Sequence, residues 1–367
     1  MLRAVALALV LTVSLPARAV ETMRIAMGPA EDSAELSAST LSVGEDLAEG
    51  PFSPVPGGRA TIQIAHGKLE LNGAPLLGDT VRFRPGTAEL DAGVPGKSAL
   101  HAAHWDVRGD VVARQVRGKV ELINVIPLED YLAAVLGGEM PVSFPLEALK
   151  AQAVAARTYA VHKKLEALDK PSYLGSSVLH QVYKGVNRED PRTRAAVEAT
   201  RGEILTYELA PIEAYFHASC GGRTESGLAA LNRDLPYLKS VECPCGKLPR
   251  SHWTLELPRR EIQGVFHEAG GLEVVSRSET GRARRVQVGR RSVDAVQFRA
   301  QVGYDKVKSL AFEVAPVGKD NFLLSGRGYG HGAGLCQWGA KTYADQGLGY
   351  LAILSHYYPG AELQRLY

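Results

Sequence analysis

The hydrophobic period of this chain changes at Pro127, and this change constrains the fold more than any other feature. Before Pro127, apolar and polar residues alternate in short segments separated by glycines and prolines, a pattern that predicts β-strands. These segments are residues 60–64, 80–84 and 119–125. Residues 20–58 show little regular pattern. We therefore predict a β-rich N-terminal region over residues 20–117 and a second domain over residues 118–367.

After Pro127, apolar residues recur at helical spacing. A short helix is predicted from Leu128 to the glycines at 137 and 138, and Pro145 suits the first turn of a second helix over residues 146–168. Further strands are predicted at 203–207, 212–217, 272–278, 285–288 and 321–325, and further helices at 258–267, 293–301, 337–346 and 350–357. Strands and helices that mix without βαβ alternation predict an α+β fold, with mixed sheets and packed helices in the C-terminal domain.

The first 19 residues have the plan of a secretory signal. Arg3 precedes a short apolar run over residues 4–15, and Ala17-Arg18-Ala19 offers small residues at a cleavage site. We predict cleavage and export, with a mature chain that begins near Val20; the alternative is an uncleaved amphipathic N-terminus. The run is short for a bilayer, and no later run resembles a span, so no transmembrane anchor is expected.

Charge excludes one class of partner. The 367 residues include 42 basic and 40 acidic side chains, a net charge of +2, without a block of like charge. No nucleic-acid partner is therefore expected.

Glu139 is the candidate acid. It stands between Gly138 and Pro141, in a turn expected to precede the second helix. One interpretation is a carboxylate held by backbone N–H groups and the helix dipole. The other is a general acid, with a pKa raised by the apolar side chains of Met140 and Phe144. Because lone glutamates are common, spacing alone favours the first interpretation.

Arg157 falls on the apolar face of the second predicted helix. A buried guanidinium needs an anion or carbonyl groups, because an unpaired buried charge is very costly. It either forms an ion pair with Glu147, Glu129 or Asp130, or clamps an oxygen of a substrate. A direct pair with Glu139 would lower the pKa of that acid, so we expect the two residues to share the site without a bidentate contact.

Residues 326–340 form a glycine-rich loop, with glycines at alternate positions from 326 to 334. Such a loop allows close approach of the backbone to a ligand. Tyr329 and His331 offer hydrogen-bond donors, and Tyr329 or Trp338 offers a ring that stacks on a sugar. The loop lacks the Gly-Lys-Ser/Thr ending of a phosphate cradle. The alternative is a tight β-turn packed against the last helix.

The cysteines leave two possibilities open. Export permits a disulfide in which Cys220 pairs with Cys243 or Cys245, whereas a bond within Cys243-Pro-Cys245 would be strained. Alternatively, His217, Cys220, Cys243 and Cys245 bind a zinc ion, which would be structural if all four are ligands. In either case we expect Cys336 to be an unpaired thiol.

These motifs together resemble the SpoIID/LytB family of exported cell-wall proteins. The resemblance covers roughly residues 118–367. It rests on IPLEDYL (126–132) with GEMP (138–141), LEALKAQAVAARTY (146–159), YFHASCGGRTE (215–225) and the glycine-rich loop with QWGA (337–340). The family includes lytic transglycosylases that act on peptidoglycan stripped of stem peptides, amidase enhancers, and members that bind zinc near the segment matching residues 217–245.

The resemblance implies site residues. Glu139 matches the catalytic acid, and the residues expected to position the glycan are Arg157, Gln181, Tyr183, Tyr329, His331 and Gln337. Peptidoglycan glycan strands are the expected substrate, and a cell-wall amidase is a possible partner. VLHQVYKG (178–185) lacks the acidic residues expected before its Q-V-Y core, and Cys336 replaces what is often a small hydroxyl residue.

Two rival hypotheses remain. The same cleft suits a non-catalytic glycan-binding module that stimulates an amidase. A zinc amidase would need an open coordination position near Glu139.

Overall fold

The computed structural model describes residues 21–47, 49–86, 100–176 and 181–367, so the predicted signal at 1–19 lies outside the described residues. The described part has the predicted α+β fold. The strands are β1 Thr22–Ala26, β2 Ser33–Ser37, β3 Leu41–Gly44, β4 Phe52–Pro54, β5 Arg59–Ala65, β6 Lys68–Leu71, β7 Ala74–Pro75, β8 Thr80–Pro85, β9 Leu100–Ala102, β10 Trp105–Val107, β11 Asp110–Val116, β12 Lys119–Pro127, β13 Leu174–Gly175, β14 Glu203–Tyr207, β15 Ala210–Pro211, β16 Phe216–His217, β17 His252–Pro258, β18 Leu272–Arg277, β19 Ala283–Val288, β20 Arg291–Asp294, β21 Phe312–Val317, β22 Asn321–Arg327, β23 Leu335–Cys336 and β24 Glu362–Arg365. The helices are α1 Leu128–Glu139, α2 Leu146–Leu165, α3 Pro191–Ala199, α4 Gly227–Leu231, α5 Arg259–Phe266, α6 Ala295–Val302, α7 Gln337–Asp345 and α8 Tyr350–Tyr357. None of these helices is long and apolar enough to cross a membrane.

Two sheets form the N-terminal part. One has seven strands in the order β13-β1-β12-β11-β8-β3-β4, and the other has six in the order β10-β9-β2-β5-β6-β7. Residues 20–58 show little regular pattern in the sequence, yet β1 to β4 all lie there. These strands have five residues or fewer, too few for a clear alternation in the sequence.

The larger sheet crosses the predicted boundary between residues 117 and 118. β11 and β12 pair as a hairpin across it, and β1 pairs with β12 on the other side. Met23 and Ile25 of β1 are fully buried in the same hydrophobic core as α1 and α2. The division into regions 20–117 and 118–367 stays a prediction.

Helix α2 is the centre of the C-terminal core. Helices α1, α3, α7 and α8 and strand β14 all pack against it. Alanines make up much of the buried stretch from Ala148 to Val161, and their small side chains let these neighbours come close. Most of the predicted apolar face is buried, but Leu146 at its start is 41% exposed.

Residues 252–327 form a unit with its own hydrophobic core, here called the 252–327 unit. It contains the three-stranded sheets β17-β22-β21 and β18-β19-β20, with helices α5 and α6. Helices α5 and α6 and strands β18, β19 and β22 were predicted to within two residues, whereas strands β17, β20 and β21 were not predicted. The chain leaves the core around α2 after Cys245 and returns to it at the glycine-rich loop. The 252–327 unit therefore stands beside that loop.

Candidate functional site

Glu139 is the last residue of α1, rather than part of a turn after it. The helix continues through Gly137 and Gly138, and these two glycines allow α1 to pack closely against the segment that contains Val182 and Arg188. A Cβ on Gly137 would lie 1.8 Å from the carbonyl oxygen of Arg188, and one on Gly138 would lie 2.5 Å from that of Val182. The absence of side chains therefore lets the end of α1 press against the segment that contains Val182.

The carboxyl group of Glu139 is largely removed from water. Burial raises its pKa above the ordinary value of a glutamic acid. Two neighbours oppose this rise in the pKa in part: the backbone N–H of Val182 donates to Oε1 at 2.7 Å, and the nearby side-chain amide of Gln337 favours the charged form. The balance leaves an acid that stays protonated at higher pH than a surface glutamate.

Glu139 lines a cleft of about 610 Å³, here called the Glu139 cleft. One wall comes from the helical core and the glycine-rich loop, and the other from the 252–327 unit. The first wall includes Tyr159, Tyr215, Phe216, His217 and His331, and the second includes Val296, Arg299, Tyr304 and Asp305. The cleft therefore combines aromatic rings with a few charged and polar groups, the usual composition of a small-molecule site.

Gln181 and Tyr183, predicted to contact substrate, are fully buried and point into the protein. Gln181 accepts a hydrogen bond from the hydroxyl of Tyr131 at 2.7 Å and donates to the carbonyl oxygen of Ala156 at 3.0 Å. The hydroxyl of Tyr183 donates to Asn124 at 2.6 Å. These two anchors fix the backbone on both sides of Val182, whose N–H reaches Glu139.

Arg157 lies outside the cleft lining. It is 0% exposed and forms a two-pronged ion pair with Glu129, with Nε–Oε1 at 3.0 Å and Nη2–Oε2 at 2.7 Å. It also donates to the carbonyl oxygens of Glu203 and Val197. The structure thus places Arg157 in one of the ion pairs considered from the sequence, away from the carboxyl group of Glu139.

Of the side chains singled out in the glycine-rich loop, only His331 is among the lining residues of the Glu139 cleft. Gln337 is buried and is not among the lining residues, although its amide lowers the pKa of Glu139 in part. Tyr329 is half-buried, packs against the core of the 252–327 unit and bridges to Ser219 through the backbone. Trp338 stands edge-on to Phe144 and also lies away from the cleft lining.

Four free cysteines form a separate buried group, here called the cysteine group: Cys220, Cys243, Cys245 and Cys336. Their sulfur atoms all lie within 4.8 Å of one another. This changes the predicted ligand set. Cys336, expected to be unpaired, belongs to the group because β23 carries it alongside β16. His217 does not belong, because its ring nitrogens are not among the ligand atoms that lie together within 4.8 Å. Its Nδ1 donates to the carbonyl oxygen of Ala333 at 3.0 Å.

The spacing of the four sulfur atoms is compatible with a metal site, although it also permits another role for these cysteines. Thiolates that bind one zinc ion lie about 3.8 Å apart, within the observed spacing. Backbone N–H groups of Cys220 and Gly339 point at the sulfur of Cys336 at 3.3 Å, as hydrogen bonds to metal-bound thiolates do. Gly339 also leaves room, since a Cβ there would lie 2.4 Å from the sulfur of Cys243.

Sequence reasoning missed the second wall of the cleft. Nothing in the sequence singles out Arg299, Tyr304 or Asp305, which the fold of the 252–327 unit brings to the site. Tyr159 and Tyr215 were within reach of the sequence, because both belong to segments that carry the family resemblance.

The fold and the cleft define an α+β protein that presents a desolvated glutamic acid in an aromatic-lined groove. A profile of the SpoIID family, described as Stage II sporulation protein, matches residues 116–207. The chain is 30% identical over 325 residues to Stage II sporulation protein D of Bacillus amyloliquefaciens, covering 78% of this chain and 92% of that one. It is 34% identical over 266 residues to Stage II sporulation protein D of Bacillus subtilis, covering 66% and 75%. It is 27% identical over 388 aligned positions to the amidase enhancer of Bacillus subtilis, covering 89% and 53%. The chain belongs to the SpoIID/LytB family.

Proposed function

We propose that this protein is an exported lytic transglycosylase that cleaves peptidoglycan glycan strands, with Glu139 as general acid and then base. The observation that carries the proposal is the position of the Glu139 carboxyl group in the cleft, with a pKa that burial raises. A glycosidic oxygen leaves poorly unless it is protonated, so the acid must hold its proton near neutral pH.

The reaction needs one carboxyl group. Glu139 gives its proton to the oxygen that joins the muramic sugar to the next sugar, and the bond from that oxygen to C1 breaks. The 6-hydroxyl of the same muramic sugar attacks C1, and the Glu139 carboxylate takes the hydroxyl proton. The products are a free 4-hydroxyl on the leaving sugar and a 1,6-anhydro-muramic end. No water is consumed, in contrast to an ordinary glycosidase with two carboxyl groups.

Two neighbours of Glu139 support this assignment. The backbone N–H of Val182 donates to the carboxyl group and so fixes its orientation, and Val182 and the nearby amide of Gln337 both stabilise the carboxylate after the proton has left. Gln181 and Tyr183 act through Val182 as positioning residues. The aromatic walls of the cleft suit sugar rings, and strands stripped of stem peptides are the substrate that the family resemblance favours.

Asp305 is a second carboxyl group at the cleft, on the wall opposite to the helical core. If it activated a water molecule, the enzyme would be a hydrolase and would release reducing ends. Product analysis separates the two outcomes.

The test uses mature protein beginning near Val20 with peptidoglycan strands, with and without stem peptides, and mass spectrometry of the products. We expect 1,6-anhydro-muramic ends, mainly from stripped strands. The Glu139→Gln variant should lose product formation and retain glycan binding. Glu273→Gln, an exposed glutamate on β18, is the matched control and should match the wild type. Reducing ends, or equal activity in Glu139→Gln, would contradict the proposal.

A second candidate is a non-catalytic glycan-binding module that stimulates a cell-wall amidase. The similarity to a protein named amidase enhancer favours it. This function predicts glycan binding without new ends, and faster release of stem peptides when an amidase is added, both unchanged in Glu139→Gln.

The cysteine group would hold a structural zinc ion. Its ligands would be the four cysteines, in place of the set with His217 that was predicted from the sequence. With Cys220, Cys243, Cys245 and Cys336 as ligands the site is closed, so zinc would cross-link segments of the chain. A disulfide involving Cys220 remains the alternative, since the sulfurs of Cys220 and Cys245 are 3.3 Å apart. The closed site gives no support to a zinc amidase.

A further inference from the structure

Two histidines stand side by side on the wall of the Glu139 cleft. His217 on β16 and His331 in the glycine-rich loop both line it, with ring centroids 5.3 Å apart in an edge-to-face arrangement. Gly330 makes this approach possible: its φ is +110°, and a Cβ there would lie 2.8 Å from Cβ of His217.

His331 has no ring nitrogen left for a ligand. Its Nε2 lies 2.8 Å from the carbonyl oxygen of Phe216, and its Nδ1 accepts from the backbone N–H of Ala333 at 3.1 Å. A carbonyl oxygen only accepts and an amide N–H only donates, so the ring is neutral with its proton on Nε2. His331 thus holds the glycine-rich loop against β16.

His217 is the opposite case. Its Nδ1 lies 3.0 Å from the carbonyl oxygen of Ala333 and so carries the proton, which leaves a lone pair on Nε2. The residue is 4% exposed, and Nε2 has no hydrogen-bond partner among the described residues. Buried polar atoms in native proteins almost always have a partner, so this one calls for a donor that the protein itself does not supply.

The missing partner must be an O–H or N–H donor, because Nε2 offers only a lone pair. The groups of side chains that cluster as metal ligands in the described part of the chain do not include His217. The neighbouring surfaces are the rings of Tyr215 and Phe216, which suit the face of a sugar. Saccharides present hydroxyl groups at high density beside such faces.

We infer that His217 is a substrate-binding residue that accepts a hydrogen bond at Nε2 from a hydroxyl group of the saccharide in the Glu139 cleft, while His331 is structural. This reverses the roles expected from the sequence, in which His331 binds glycan and His217 binds metal. The inference rests on the proposed function for the class of ligand.

Two variants separate the two edges of the His217 ring. The amide of His217→Asn reaches the position of Nδ1, so it keeps the bond to Ala333 and removes the acceptor at Nε2. The amide of His217→Gln reaches the position of Nε2 and restores an acceptor there. The two side chains are similar in chemistry, and a general loss of packing would affect both.

The measurement is the affinity for peptide-free peptidoglycan strands, with Glu139→Gln as the background so that the ligand stays intact. We expect His217→Asn to weaken binding about ten-fold, the usual effect of one lost hydrogen bond, and His217→Gln to bind within about three-fold of the background. Thermal unfolding and metal content should be alike in both variants. His331→Asn should lower the unfolding temperature yet keep affinity within about three-fold.

A spectroscopic readout adds a test that a structural role would not pass. In protein labelled with ¹⁵N at histidine, saccharide binding should move the Nε2 resonance of His217 and leave its Nδ1 resonance nearly unchanged. Equal affinities of the Asn and Gln variants, or an unmoved Nε2 resonance in the saturated complex, would overturn the inference alone. Failure of the Glu139→Gln background and of the wild type to bind glycan would overturn the proposed substrate class as well.

Discussion

The backbone N–H of Val182 donates to Oε1 of Glu139 at 2.7 Å, and this contact joins the end of α1 to the segment after β13. On either side of Val182, Gln181 and Tyr183 are fully buried and hydrogen-bonded. The Q-V-Y motif therefore presents one backbone donor to the acid at a fixed place, and its two polar side chains serve as anchors.

The pH profile should reflect the raised pKa of Glu139. The general acid must be protonated, so product formation should be present below that pKa and fall as the pH rises through it. The Val182 bond stabilises the carboxylate and limits the rise. Initial rates of anhydro-product formation across pH check this, and a rate that climbs as the pH passes from about 5 to 8 would contradict it.

The same burial predicts a pH-dependent gain in stability for Glu139→Gln. A carboxyl group whose pKa is raised by folding contributes stability below its unfolded pKa, and this contribution is lost as the pH rises through the folded pKa. The variant should therefore be more stable than the wild type above the folded pKa, by about 1 kcal/mol, as is common where function conflicts with stability. Urea unfolding near pH 4 and pH 8 measures the difference, which should shrink at the lower pH.

Arg157→Met should unfold the protein far more readily, because it leaves the Glu129 carboxylate buried without its partner. The expected cost is about 3–5 kcal/mol, against less than about 1 kcal/mol for Arg201→Met, which breaks the exposed pair with Glu198. Adding Glu129→Gln should restore at least half of the loss. Chemical denaturation measures all three variants. A stable Arg157→Met protein that no longer binds glycan would instead support a role at the substrate.

Gly138→Ala tests the packing of α1 against Val182. Alanine is usually favoured over glycine within a helix by about 1 kcal/mol. Here the added Cβ would lie 2.5 Å from the Val182 carbonyl oxygen, so the variant should lose stability and activity together. Gly264→Ala in α5 is the matched control, because a Cβ there meets nothing within 4 Å. The control should be stabilised, and equal behaviour of the two variants would show that the contact is unimportant.

Metal analysis tests the cysteine group. We expect about one zinc per chain by mass spectrometry, and loss of that zinc together with a lower unfolding temperature in Cys336→Ser. His217→Gln should retain zinc, because its ring lies outside the group. A metal-free protein whose cysteines resist thiol reagents after denaturation would indicate disulfides and contradict the zinc site.

Helices with strong periodicity and marked ends could be predicted from the sequence, as α8 and most of α2 show. Local signals misled at Gly137 and Gly138, because glycines that end a helix and glycines that permit close packing look the same in a sequence. The pairing of Arg157 depended on which of three nearby carboxylates the fold would bring to it. Cys336 and Asp305 reach their neighbours only through contacts between distant segments, which spacing along the chain does not encode.

Strand β1 has a practical consequence for anyone who shortens this protein. Its backbone pairs with one edge of β12, and Met23 and Ile25 are buried in the hydrophobic core with α1 and α2. A fragment that started at residue 118 would expose the unpaired amide and carbonyl groups of β12 beside an uncovered hydrophobic groove. Exposed strand edges of this kind pair with other copies of the same chain and cause aggregation. Aggregation of that fragment would then result from the loss of β1, and its lack of activity would carry no information about catalysis.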